Sequence, residues 1–121
     1  VQIKLADVRD LRFQGGFDVD VSKAEPAPSN LYDKATQIGK TFTYKIKGQA
    51  AAGTLWGTDT YTLDSALAAA VVHAGVVKDG QMGIVRIKIV ASPAAFVGST
   101  RNGVTSHPYG DYPAAYKILK R

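Results

Sequence analysis

The chain has 121 residues, a formal net charge of +5, 45% hydrophobic and 21% charged residues, and no cysteine. That length suits one domain around a single core, and the lack of cysteine excludes disulfides, thiolate metal sites and a thiol nucleophile. No apolar run approaches the roughly 20 residues of a membrane-spanning helix, and the basic balance favours anionic partners, although no basic run with interleaved aromatics points to nucleic acid.

The chain begins at Val1, not Met, so its start is expected to be processed or trimmed. Val1, Ile3 and Leu5 share one parity, and Phe17, Val19 and Val21 alternate with Asp18, Asp20 and Ser22. Both stretches read as half-buried strands, and Gly15-Gly16, between Phe13 and Phe17, as a hairpin turn joining VRDLRF to FDVDV. Glu25 to Asn30 is a Pro-rich connector that no regular element crosses. It places a boundary between an N-terminal β extension with its connector (1–35) and a domain (36–121). Leu31 to Gln37 suits a short helical turn.

Lys40 to Lys47 alternates cleanly, with Phe42, Tyr44 and Ile46 on one face and Thr43, Lys45 and Lys47 on the other. A small-residue loop, Gly48 to Gly53, leads to a short strand at Thr54 to Gly57 that carries Trp56. The next stretch, TLDSALAAAVVHAG from Thr62 to Gly75, predicts a helix over about 63–74. Thr62 suits the N-cap. Asp64 would sit in a first turn that favours negative charge. Gly75 suits a left-handed C-terminal stop, and His73 falls in the last turn. The body is apolar all round, so this helix is expected to be buried. Gly83 to Val90 is a second strong strand, with Val85, Ile87 and Ile89 inward and Arg86 and Lys88 outward. Ala95 to Gly98 suits a short strand, Ser99 to Pro113 a loop, and Ala115 to Leu119 a closing strand. Strands, one helix, then strands predict an α+β fold: a single central buried helix wrapped by antiparallel strands in two sheets.

Three stretches occur in an order that resembles the LCCL domain family: LWGTDTYTLDS at Leu55 to Ser65, AVVHAGVV at Ala70 to Val77, and FVGSTRNGVTSHPYGDYPAAY at Phe96 to Tyr116. The resemblance implies a central helix wrapped by two sheets. It also implies a non-enzymatic module of extracellular or periplasmic and cell-envelope proteins, with lipopolysaccharide, lipid or glycan surfaces as ligands. Animal members carry four cysteines in two disulfides. Here Ala68 stands at one of those positions and the Gly48 to Gly53 loop replaces a pair, so the chain resembles a cysteine-free, bacterial-type member.

Candidate chemistry is sparse. His73 reads either as a pH-sensitive group or metal ligand, or as a buried histidine that locks the helix end; the second reading makes Thr62, Asp64, His73 and Gly75 structural. With His107 as the one other histidine, no metal and no cofactor are expected. IGKT at Ile38 to Thr41 is not a phosphate loop, because Lys34 stands where its first glycine belongs. Ser65 and His73 lie eight residues apart, roughly 12 Å along a helix, too far for a catalytic pair. Trp56 reads as a sugar-stacking platform or as a sheet-edge residue. Arg101 and Asn102 sit at an Asn-Gly loop tip, where Arg101 could grip an anion, and Tyr109 lies in the adjoining loop. Lys45, Lys47, Arg86 and Lys88 supply a positive field if their strands share a sheet. The leading expectation is a non-enzymatic binding module for an anionic glycan or lipid head group. The competing expectation is a self-assembly subunit, a homo-oligomer or fibre, or a part of a larger secreted protein, built by pairing of the N-terminal strands.

Overall fold

A computed structural model of the protein describes residues 24–119. The strands read in residues 1–21, and with them the assembly reading, lie outside this range. The described elements in chain order are β1 (Glu25–Pro26), a 3-10 turn (Tyr32–Lys34), β2 (Thr41–Lys47), β3 (Gly57–Thr58), β4 (Thr60–Thr62), α1 (Leu67–His73), β5 (Met82–Val90), β6 (Thr100–Arg101), β7 (Val104–Thr105) and β8 (Ala115–Ile118). Six strands form one sheet in the order β1-β2-β5-β8-β4-β3, and β6-β7 form a separate two-stranded hairpin. All pairs are antiparallel except β1 with β2. The fold is α+β and mostly β, as the order of patterns predicts.

Alternation along β2 and β5 sets the register. Tyr44 pairs with Val85 and Phe42 with Ile87, and the same side continues across β8 through Ile87–Ile118 and Ile89–Tyr116. Tyr61 extends it on β4 opposite Tyr116. These side chains form the inner face of the sheet, and α1 packs on it through Leu67, Ala70 and Val71, all fully buried. Val104 of the hairpin joins the same core cluster, so the helix lies between sheet and hairpin. Leu31, fully buried, adds the segment after β1 to that core.

The helix is shorter than the sequence predicts, and the difference lies at its start. Thr62 is the last residue of β4, not a helix cap. The N-cap is Ala66, with no side-chain capping bond and no acidic residue in the first turn, so Asp64 also lies outside the helix. Thr62 Oγ1 instead donates to Asp64 Oδ1 at 2.6 Å and lies 2.8 Å from Ser65 Oγ, holding a tight turn between strand and helix. Thr, Asp and Ser side chains compete with helix for backbone and neighbouring groups in this way. The C-terminus follows expectation. Gly75 has φ of +81°. Its N–H donates to Val72 O, and the Val76 N–H to Val71 O. That pair of bonds is the Schellman stop.

Candidate functional site

Two walls and a floor meet at the start of α1. One is the segment Pro26 to Asn30, which leaves the sheet edge; another is the loop Gln49 to Thr54; the floor is Ala66 and Ala68. Together they enclose an open groove of about 770 Å³. Both walls are fastened to the helix by backbone bonds. Leu67 N–H donates to Ser29 O at 2.9 Å, and Ala66 N–H donates to Thr54 O at 3.0 Å. Gln49 N–H returns a bond to Ala68 O at 3.0 Å. The first two bonds satisfy N–H groups that a helix start leaves orphaned, and all three fix the width of the groove. The loop also rests on the helix through a close approach at Gly53, where a Cβ would stand 2.9 Å from the Ala66 Cβ.

Lys45, Lys47 and Met82 line the groove from the sheet, and Trp56 and Asp64 line it where β4 turns toward the helix. Trp56 is half-buried. Its backbone N–H donates to Ser65 Oγ at 2.9 Å, and its carbonyl accepts from Thr62 N–H at 3.1 Å. Tyr109 meets the Trp56 ring edge-to-face at 6.3 Å between centroids, and Tyr112 meets Tyr109 in the same way at 5.9 Å. Tyr112 closes this arc near the Asp64 carboxylate. Desolvation, followed by the Asp64 carboxylate, pushes the Tyr112 phenol up to about 12.

Of the other predicted residues, Arg86, Lys88, Arg101 and Asn102 lie outside the groove. By strand parity Arg86 and Lys88 stand on the outer face of the sheet, opposite Thr43 and Thr41, and Lys45 and Lys47 share that parity on β2, at the strand edge that borders the groove. Lys117 of β8 stands directly opposite Lys88 on that face. Sequence reading missed Lys117, although its alternation with Tyr116 and Ile118 marks it as outward. Lys45, Lys47, Lys88 and Lys117 are exposed, whereas Arg86 is half-buried. Arg101 and Asn102 line no part of the groove. Arg101 Nη1 donates to both Asp59 carboxylate oxygens at 3.1 Å. Asn102 Nδ2 donates to the His73 carbonyl at 3.0 Å, closing the C-terminal end of α1. Asn102 and Gly103 both have positive φ, 53° and 79°, as an Asn-Gly hairpin turn requires. His73 is fully buried, with Nδ1 2.9 Å from the Tyr61 hydroxyl and Nε2 3.2 Å from Ser99 O. Among the described residues no three His, Cys, Asp or Glu side chains gather into a metal site.

The LCCL domain family model matches residues 23–115, most of the chain. The chain belongs to the LCCL domain family. LCCL domains are non-catalytic binding modules of the extracellular type, found in secreted proteins. A search of curated proteins finds no match to the chain. This LCCL domain has no cysteine. Where the resemblance places disulfide positions, at Ala68 and in the loop before Trp56, it has the Gln49–Ala68 backbone bond and the Gly53–Ala66 contact. Among the described residues no helix is long and apolar enough to cross a membrane.

Proposed function

We propose that this LCCL domain is a non-enzymatic module of the cell exterior or envelope that binds an anionic glycan or lipid head group, such as that of lipopolysaccharide. One observation carries the reading: the exposed lysines Lys45, Lys47, Lys88 and Lys117 share the outer face of the sheet. Lys88 and Lys117 are direct cross-strand partners. Like charges so placed destabilise a sheet. An anion lying across both strands relieves that repulsion, which makes the pair a natural seat for a polyanion. The site recognises charge by attraction over a surface, so affinity must fall steeply as salt shortens the Debye length to about 8 Å at physiological strength.

The test is titration with lipopolysaccharide micelles and with a polygalacturonate fraction, at low and physiological salt. Binding at low salt that weakens with salt, and weakens further in the Lys88→Glu/Lys117→Glu double variant, supports the reading. No binding of either probe at low salt by the folded domain refutes it.

A further inference from the structure

The groove and its aromatic arc are built for more than charge. One end, at Lys45 and Lys47, is cationic. The other end presents ring surface and a fixed carboxylate. Trp56 lines the groove, Tyr109 is 46% exposed beside it, and Tyr112 closes the arc near Asp64. Asp64 is held by the Thr62 hydroxyl at 2.6 Å, so its carboxylate is oriented before any ligand arrives. Between the ends, Asn30 and Gln49, which carry side-chain amides, line the walls. Asn30 spends its Oδ1 on the Tyr32 N–H at 3.0 Å, which leaves its NH₂ as a donor.

A bare polyphosphate or a sugar-free phosphate head group uses none of the ring surface. A pyranose uses all of it. Its C–H face packs on an aromatic ring, and its rim of hydroxyls needs both acceptors and donors, here Asp64 and the two amides. Mostly apolar walls with a few placed polar groups are the general form of a small-ligand site. The walls are tied to α1 by three backbone bonds, so little ordering is required on binding.

We infer that the groove is a saccharide subsite. It takes one or two pyranose units of an acidic polysaccharide, with a sugar face on Trp56 and Tyr109, its hydroxyls on Asp64, and a carboxylate or sulfate of the neighbouring unit on Lys45 and Lys47. The inference rests on the anionic-ligand reading and narrows its ligand to glycan.

Calorimetric titrations of the whole chain at low salt use two probes of similar charge: a galacturonate hexamer and a linear polyphosphate. The expected result is that Trp56→Ala weakens the hexamer at least tenfold and leaves polyphosphate within twofold. Tyr109→Ala, at an exposed ring that the core does not need, weakens the hexamer severalfold and guards against a folding defect at Trp56. Hexamer binding also quenches or shifts Trp56 fluorescence in the unaltered protein, while polyphosphate does not. If both probes bind but respond alike to both variants and to fluorescence, the groove inference fails and the charged-surface reading stands. If neither probe binds the folded chain, both fail.

Discussion

The Tyr61 hydroxyl and His73 Nδ1 are hydrogen-bonded across 2.9 Å in the centre of the core, with the two rings edge-to-face at 81°. The Ser99 carbonyl, 3.2 Å from His73 Nε2, can only accept, so in the neutral ring Nε2 is the donor and Nδ1 the acceptor of the Tyr61 hydroxyl. The pair joins β4 to the last turn of α1, and through Ser99 to the segment that leads into the hairpin. Both side chains are fully buried. Tyr61→Phe therefore leaves Nδ1 without a donor in a dry site. The expected cost is about 1–3 kcal/mol. Urea unfolding monitored by Trp fluorescence measures it, and a double-mutant cycle with His73→Leu isolates the pair. A loss below about 0.5 kcal/mol, within the ordinary range for surface substitutions, would show that water or another donor replaces Tyr61.

Tyrosine burial gives the domain an alkaline limit. Desolvation raises the phenols of Tyr61 and Tyr116 well above their ordinary value of 10.0, and Tyr112 rises to about 12. Below pH 10 these groups are protonated in both folded and unfolded chains, so their contribution to stability is constant. Above pH 10 the unfolded chain releases protons that the folded chain keeps, and stability falls as pH rises. Each buried tyrosine still protonated steepens the fall by about 1.4 kcal/mol per pH unit. Urea midpoints between pH 8 and pH 12 should be flat with respect to tyrosine at first and then drop. Tyrosinate absorbance of the native protein should lag behind that of the urea-unfolded chain. Coincident titration curves would rule the limit out.

Much of the fold is legible in the sequence because alternation is strong in two stretches. Lys40 to Lys47 and Gly83 to Val90 each separate an apolar parity from a charged one, and the structure pairs them over the whole length of β2. Gly75 and Asn102-Gly103 are legible because positive φ restricts which residues fit. Thr62 misleads because a residue that suits a helix cap also suits a turn; its hydroxyl bonds Asp64, and only the pairing of Thr62 with Ala115 shows that a strand still runs there. The groove is not legible at all. Its walls come from residues 26–30, 45–56, 64–68 and Met82, and no local pattern records that the Ser29 and Thr54 carbonyls meet one helix start. Arg101 reads as a free anion grip because Asp59, its ion-pair partner, is 42 residues away.

Gly57 carries more of the site than its size suggests. Its φ is +115°, a region L side chains rarely adopt, and a Cβ there would run into the Thr60 carbonyl oxygen and stand 3.0 Å from the Phe96 ring. The residue sits between Trp56 and the turn to β4, and its N–H donates to His107 O at 3.0 Å. Gly57→Ala must distort that turn, at a strain of about 1–3 kcal/mol before any steric term. The expected outcome is a lower urea midpoint together with a changed Trp56 emission, because the distortion acts on the strand that positions the indole. Unchanged emission and stability would mean that the turn relaxes around the methyl group without cost.

Lys117 separates stability from binding. It opposes Lys88 across β5 and β8, both side chains are exposed, and Thr60 flanks it on β4. Lys117→Glu converts a like-charge cross-strand pair into an opposite one. The exchange should stabilise the domain by about 0.2–1 kcal/mol at low salt, less at high salt as screening grows. The same change removes two units of positive charge from the outer face, so lipopolysaccharide and polygalacturonate should bind more weakly. Opposite signs are the point: a variant that folds more tightly and binds less well cannot owe its weaker binding to unfolding. Denaturant midpoints and binding titrations on one preparation, at two salt concentrations, give both quantities. If Lys117→Glu stabilises the domain and leaves low-salt affinity unchanged, the outer face is not where the anion sits.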